Sequence, residues 1–252
     1  MSRKHTNHPD HKKRRLLGVG ALAIGAIGVG ASGGLRLVEL AMAKSDEEAA
    51  SKLTRWGLLI DTSRCATSCT ACVEGCNTEH NLEGFDRPET DAQWIRKLEL
   101  TDNHTGLEQS LPMLCQHCED PPCVDVCPTG ASFVRDDGIV LVNKHTCIGC
   151  RYCVMACPYK ARSFVHEALH NQKSYSPRGK GTVESCTLCV HRVDQDQQPA
   201  CVDACQTSGN GAMLFGDLNE QESEIASRLR TEPSRQVRED LGLNTAVRYQ
   251  NV

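Results

Sequence analysis

Cysteine is the residue that sets this sequence apart, since 16 of its 252 residues are cysteines. They fall into four groups of four: Cys65, Cys69, Cys72, Cys76; Cys115, Cys118, Cys123, Cys127; Cys147, Cys150, Cys153, Cys157; and Cys186, Cys189, Cys201, Cys205. Thiolates are soft ligands for metals such as zinc and for iron-sulfur clusters. With no cysteine left over, all sixteen are candidate metal ligands.

The third group follows the pattern C-x2-C-x2-C-x3-C-P, which is typical of bacterial ferredoxins that hold two 4Fe-4S clusters. Three cysteines wrap a tight loop around one cluster, and the fourth ligates the neighbouring cluster. Pro158 and Pro128 follow the fourth cysteine of their groups and redirect the chain there. Because this ligation is reciprocal between paired groups, sixteen thiolates satisfy four 4Fe-4S clusters, which are one-electron carriers.

Three other uses of clustered cysteines compete with iron. Disulfides suit an even cysteine count, but C-x2-C-x2-C triplets are poor disulfide partners for one another. Zinc fits the fourth group, C-x2-C-x11-C-x3-C, and does not fit the triplets, because structural zinc uses two separated pairs. Covalent haem needs C-x-x-C-H, and no pair here is followed by histidine.

The first group departs from ferredoxin spacing, because three residues rather than two separate Cys65 from Cys69. One extra residue can be absorbed in the loop, so we expect a 4Fe-4S cluster here too. An altered cluster at this position stays open as the alternative.

Residues 1–43 have the layout of an export signal. Residues 12–15 are basic, residues 16–35 carry no charge, and residues 41–43 form a small-x-small cleavage site. The Arg14-Arg15 pair resembles a twin-arginine signal, a route that exports proteins already folded around their cofactors. The alternative is a retained N-terminal anchor, since a run of this length can span a bilayer. We expect no C-terminal anchor and a periplasmic location.

Charge and motifs argue against two further classes of protein. The formal net charge of −4 gives no electrostatic case for nucleic-acid binding. The sequence contains no nucleophile beside a base, no phosphate-binding loop and no HExxH motif. We therefore expect an electron carrier and no catalytic residues, rather than an enzyme.

The cysteine groups predict an α+β fold built from two ferredoxin-like double-cluster modules. Groups two and three lie in an inserted module, residues 115–164, and groups one and four lie in the surrounding residues 55–114 and 165–217. Aromatic residues make up only 4% of the chain, so the core should be organised around the clusters, with little regular secondary structure. Residues 218–252 should form a C-terminal helix and a polar surface tail.

Short strands are predicted where apolar residues lie between turn residues. They cover residues 57–61, 93–100, 133–134, 139–142, 161–166 and 212–215, with residues 136–138 as a hairpin turn. Helices should begin near the fourth cysteine of each group, where the helix N-terminus would face a negatively charged cluster. Residues 218–229 also have helical spacing.

Three residues between the ligands have two interpretations each. Lys160 and Arg162 either raise the reduction potential of a nearby cluster by stabilising its reduced state or lie exposed in solvent. His117 either forms a hydrogen bond to a cluster sulfur or lies on the surface, and we favour the surface.

The cysteine arrangement over residues 55–217 resembles the four-cluster iron-sulfur subunits of membrane-linked oxidoreductases. These include subunits of polysulfide, tetrathionate and dimethyl sulfoxide reductases, formate dehydrogenase and some hydrogenases. The stretches PMLCQHCEDPPCVDVCPTGASF and DGIVLVNKHTCIGCRYCVMACPYKARSFVHE, with the twin-arginine signal, look most like DsrO-type subunits of the DsrMKJOP complex of dissimilatory sulfur metabolism. That resemblance implies two partners, an NrfD-type membrane quinone-interacting subunit (DsrP-like) and a periplasmic multihaem cytochrome c (DsrJ-like).

The resemblance also implies which cysteines share a cluster, because groups one and four pair in this family, as do groups two and three. The implied ligand sets are set A (Cys65, Cys69, Cys72 and Cys205), set B (Cys76, Cys186, Cys189 and Cys201), set C (Cys115, Cys118, Cys123 and Cys157) and set D (Cys127, Cys147, Cys150 and Cys153).

The function expected from the sequence is electron relay between a periplasmic redox partner and a membrane quinone-interacting subunit. One alternative is the electron-transfer subunit of a molybdopterin reductase of the tetrathionate or polysulfide type, or of a hydrogenase. A zinc-stabilised interaction protein is the alternative from a different class.

Metal analysis separates an iron-sulfur electron carrier from a zinc-stabilised interaction protein. Protein purified without oxygen should contain about 16 iron atoms and about 16 acid-labile sulfides per chain, because each of four clusters contributes four of each. About twelve of each would identify one failed or altered site, with the first group as the first suspect. Zinc without sulfide would contradict the electron-transfer interpretation.

Overall fold

The computed structural model describes residues 50–170 and 172–252, so the predicted export signal lies outside the described residues. The strands are β1 (Trp56–Asp61), β2 (Ile95–Thr101), β3 (Glu108–Leu114), β4 (Ser132–Val134), β5 (Val140–Val142), β6 (Arg162–Phe164), β7 (Val183–Ser185), β8 (Met213–Asp217) and β9 (Val247–Gln250). The helices are α1 (Ala71–His80), α2 (Pro122–Asp125), α3 (Tyr152–Ala156), α4 (Val190–Val193), α5 (Ala200–Thr207) and α6 (Glu224–Thr231). Within this part of the chain, no helix has the length and apolar character needed to cross a membrane.

Strand β1 is the centre of a three-stranded sheet of order β8-β1-β9. It pairs antiparallel with β8 and parallel with β9. Its central residues Leu58, Leu59 and Ile60 are all buried, as expected for a strand that is covered on both faces. The other strands form three separate two-stranded antiparallel pairs, β2-β3, β4-β5 and β6-β7.

The predicted strands all appear, with shifted boundaries, and the structure adds three more. The hairpin β4-β5 turns at the predicted residues, and Gly138 has a φ of +84°, which glycine adopts without steric cost. Strands β3, β7 and β9 were not predicted. Strand β3 contains Pro112, which disfavours a strand assignment from sequence. Strands β7 and β9 are only three and four residues long, too short for a clear alternating pattern.

The prediction for the C-terminal residues is wrong in two respects. Helix α6 begins at Glu224 rather than at residue 218, because Ser223 is extended and its hydroxyl accepts a hydrogen bond from the amide of Ala226. The residues beyond it are not a surface tail, since β9 fills the second edge of β1. Val247 and Tyr249 are buried there, and the Tyr249 hydroxyl donates to the carbonyl of Pro112 at 3.0 Å.

Helix α1, from the first cysteine group, packs directly on α5, from the fourth group, and α2 of the second group packs on α3 of the third. The α1–α5 contact is close at Gly75, where an added Cβ would lie 2.7 Å from the Cβ of Ala204 and 3.0 Å from the carbonyl oxygen of Ala200. Glycine at this position therefore allows the first and fourth groups to meet.

Replacing Gly75 by alanine should destabilise the protein, although alanine is the better helix former. The clash with Ala200 and Ala204 should lower the free energy of unfolding by about 1–2 kcal/mol, the net of overpacking and helix propensity. Denaturant titration without oxygen measures this. The control is Gly84→Ala, whose added Cβ would lie 3.5 Å from the nearest atom, an Asp91 oxygen. A Gly75→Ala protein as stable as the parent would contradict the close packing.

Candidate metal centre

A short helix carries the third cysteine of every group, and in α1 and α5 the same helix also carries the fourth. The third and fourth cysteines are four residues apart in every group, and each helix begins one residue before the third cysteine: at Ala71, Pro122, Tyr152 and Ala200. The prediction that helices begin near the fourth cysteine is therefore wrong. Residues four apart lie on one face, about 6 Å apart along the axis, so one turn of α1 or α5 directs two thiols to adjacent sites.

Set A comes together in the structure. Burial and the nearby charges of Cys205, Cys65 and Cys69 raise the pKa of Cys72 to about 12. The longer loop between Cys65 and Cys69 is held by one side chain, since Lys97 Nζ donates to the carbonyls of Ala66, Thr67 and Cys69 at 2.7, 3.0 and 2.7 Å. The extra residue is thus absorbed in a braced loop.

Set B also comes together. Burial raises the pKa of Cys76 well above its ordinary value, and Cys186, Cys201 and Cys189 add to that increase. Cys72 of set A contributes too, although less. Sets A and B are therefore neighbours.

Set C lines a pocket in the structure. All four of its thiols line the pocket, together with Tyr159 and Arg162. Burial raises the pKa of Cys115 and of Cys118 to about 12, and Cys123 and Cys157 contribute in both cases.

Set D is the most exposed of the four sets. Burial raises the pKa of Cys153, and Cys147 contributes, whereas Cys150 is exposed. Burial acts to raise the pKa of Cys127, but hydrogen bonds from Ser132, Thr129 and Ala131 lower it to about 7.

Thiols of neighbouring sets lie near enough to shift one another's pKa, and these interactions connect the sets in the order A, B, C, D. Sets B and C meet where Cys115 contributes to the raised pKa of Cys186, after burial and Cys201. Sets C and D meet where Cys153 is among the groups that raise the pKa of Cys123, after burial and Cys157. The eight thiols of the middle sets B and C are all buried, and the five that are not buried belong to the end sets: Cys65, Cys69, Cys127, Cys147 and Cys150.

The donor chemistry fits 4Fe-4S clusters. None of the sixteen cysteines forms a disulfide. Backbone amides lie 3.2–3.5 Å from five of the sulfurs, and a thiolate ligand accepts such hydrogen bonds. The sulfurs are those of Cys127, Cys147, Cys157, Cys186 and Cys205.

A structural zinc ion uses four ligands at about 2.0–2.3 Å. In residues 50–170 and 172–252, no three His, Cys, Asp or Glu side chains are placed to hold one metal ion.

Comparison with known proteins identifies the family. Residues 108–218 match the family model of a 4Fe-4S dicluster domain. The chain is 41% identical to the Hdr-like menaquinol oxidoreductase iron-sulfur subunit 1 of Archaeoglobus fulgidus, over 82% of this chain and 86% of that protein. It is 38% identical to a tetrathionate reductase subunit of Salmonella typhimurium (87% and 79%) and 35% identical to a sulfite dehydrogenase subunit of Allochromatium vinosum (78% and 83%).

The chain belongs to the iron-sulfur subunits of membrane-linked oxidoreductases. Its cofactors are 4Fe-4S clusters, as predicted, and it is an electron-transfer subunit rather than a catalytic one. Cysteine thiolates would hold the clusters, and each cluster supplies a one-electron couple. The protein contributes burial, hydrogen bonds and charge around them.

His117 is buried in this iron-sulfur subunit, so its predicted surface position is wrong. Its Nδ1 accepts a hydrogen bond from the amide of Val140 at 3.1 Å, and its Nε2 has no partner among the described residues. Burial and the positive charge of Arg162 lower the pKa of His117 to about 3. The ring is therefore neutral.

Sequence reasoning missed His80, which is buried beside set B. Its Nε2 lies 3.3 Å from the sulfur of Cys189, and its Nδ1 lies 3.0 Å from the hydroxyl of Ser176. Burial first, and His191 next, lower its pKa to about 3. A signal was available, because His80 follows Cys76 by four residues and so lies on the same face of α1.

Serine substitutions on α1 test whether one helical turn serves two clusters. Cys72→Ser and Cys76→Ser should each lose or convert one cluster, and different ones, because their neighbours belong to sets A and B. Iron analysis should show a loss of up to about four irons per variant, and spectra of the reduced protein should differ between them. Thr78→Ser, at an exposed position of the same helix, should change neither. Loss of the same cluster in both variants would contradict the assignment.

Proposed function

We propose that this chain carries four 4Fe-4S clusters and relays electrons between a periplasmic redox partner and a membrane quinone-interacting subunit. The observation that carries the proposal is the order A, B, C, D, in which every thiol of the two middle sets is buried and the end sets hold all those that are not. Such an order suits transfer from one surface site to another through a protected interior. The ligands are the sixteen cysteines in sets A to D.

The helical turns provide short steps along this path. Cys72 and Cys76 on α1 link set A to set B, and Cys201 and Cys205 on α5 make the same link from the other side. The pairs on α1 and α5 are each separated by about 6 Å of helix rise, so no long transfer step is needed between sets A and B. Sets C and D are linked by the third and fourth cysteines of groups two and three, where the fourth cysteine lies just beyond helix α2 or α3.

Set D offers a contact surface for one partner. Cys150 is the one exposed thiol of the sixteen. Ile148 and Met155 beside it are 67% and 69% exposed, and Tyr152 is also exposed. An apolar patch of this kind around an electron-transfer site is typical of a protein-protein contact.

The partners proposed are a DsrP-like NrfD-type membrane subunit and a DsrJ-like periplasmic multihaem cytochrome c, which makes the chain a DsrO-type subunit in dissimilatory sulfur metabolism. The name of the Archaeoglobus relative, a menaquinol oxidoreductase subunit, supports a quinone-linked role. The twin-arginine motif in residues 14–15 supports export to the periplasm. Membrane association would then come from these partners or from a retained N-terminal segment.

The native complex tests this function. Chain purified from its own membranes should bring with it a multi-span membrane subunit and a c-type cytochrome, and a reduced menaquinone analogue should bleach the cluster absorbance. Co-purification of a molybdopterin subunit would instead establish the reductase alternative.

A charged substitution in the same complex tests the contact surface. Met155→Glu should slow electron transfer by about tenfold or more without loss of iron, because it places a charge in an apolar contact. Leu53→Glu, at an exposed apolar residue that is not part of this patch, should leave the rate unchanged. Equal rates in the parent and Met155→Glu complexes would contradict the proposed contact at set D.

A further inference from the structure

Arg162 is a buried cation that has no carboxylate partner among the residues that the structure describes. It lies at the start of β6 and is 5% exposed. Its Nη1 donates to the hydroxyl of Ser132 at 2.7 Å, while Nε and Nη2 are buried and have no hydrogen-bond partner among the described residues. The other buried arginine, Arg178, differs, because its Nε and Nη2 both donate to the carboxylate of Glu184.

A buried charge needs compensation, because removing it from water is unfavourable unless an opposite charge replaces the solvent. The groups around Arg162 that can provide this are cysteines. Arg162 lines the same pocket as Cys115, Cys118, Cys123 and Cys157. A guanidinium stays protonated in proteins, so this buried positive charge lies beside ligand sulfurs.

The position of Arg162 spans two ligand sets. It lines the pocket of set C, and it is also near Cys153 of set D. Ser132, whose hydroxyl accepts the hydrogen bond from Arg162, also contacts set D. Its amide donates to the sulfur of Cys127 at 3.4 Å. One cation therefore faces the sites of two clusters.

We propose that the unpaired guanidinium of Arg162 raises the reduction potentials of the clusters in sets C and D and so sets the energy level of that half of the electron path. Each cluster gains one electron on reduction, with no bond formed or broken, and becomes more negative. A fixed positive charge stabilises that reduced form more than the oxidised form, and burial leaves the interaction weakly screened. The inference rests on the ligand sets of the proposed function.

Lys160 provides a matched control within the same segment. It carries the same charge two residues away but is exposed, so solvent screens it. If net charge alone mattered, the two residues would act alike. If the buried position matters, only Arg162 should have a large effect.

The experiment is an anaerobic redox titration with dithionite, followed by electron paramagnetic resonance, on iron-loaded full-length protein. Arg162→Gln should lower the equilibrium constant for reduction of two clusters by tenfold or more, which is about 59 mV for a one-electron couple. The other two clusters should keep their potentials. Arg162→Lys should restore most of the parent values, and Lys160→Gln should change them less than threefold.

Ser132→Asp keeps the test decisive if Arg162→Gln does not fold. The new carboxylate would lie beside the guanidinium and neutralise it, so the same two potentials should fall. Unchanged potentials in either iron-loaded variant, or equal shifts in Lys160→Gln and Arg162→Gln, would overturn the role of Arg162. Neither result would affect the proposed relay, which fails instead if the parent protein contains no iron or sulfide.

Discussion

The need to bring cysteine thiols together around 4Fe-4S clusters is the constraint on which the rest of this fold depends. The strands outside the central sheet form only two-stranded pairs, two of them built from strands of three residues, and isolated pairs of that size are marginal at best in water. Aromatic residues, which usually fill a core, are scarce. The buried cluster of side chains instead includes most of the cysteines, so the cofactors take the place of much of the ordinary hydrophobic core.

The four-residue spacing between the third and fourth cysteines connects neighbouring ligand sets, most directly in helices α1 and α5. In an α-helix, residues i and i+4 lie on one face, so a short helix such as α1 presents Cys72 to one set and Cys76 to the next. The close packing of α1 on α5 at Gly75 repeats that link from the opposite direction. The proposed electron path therefore depends on the same contacts as the helix packing.

Burial divides the four ligand sets into an interior pair, B and C, and two ends, A and D. The side chains near the interior pair differ from those near the ends. His80 lies beside set B, and Arg162 lies between sets C and D, each buried and each close to ligand sulfur. At the end sets, Lys97 braces the loop of set A by binding its carbonyls, and apolar side chains surround Cys150 of set D. Of the buried groups, Arg162 is the one that we propose controls reduction potential, and the set D end is the proposed contact with a partner.

The sequence by itself determined the cofactor and the role of this protein, because ligand spacing is a local property: C-x2-C-x2-C-x3-C-P needs no knowledge of the rest of the chain. The same holds for the β4-β5 hairpin, because residues 136–138 form its turn and are recognisable from the sequence alone. Only the tertiary structure decided the features that depend on contacts between distant residues. The buried positions of His117 and Arg162 arise from strands and loops far along the chain, and β9 is a strand because β1 has a free edge. The order of the four sets is equally non-local, since it requires Cys115 to meet Cys186, and no pattern within a short segment encodes that approach.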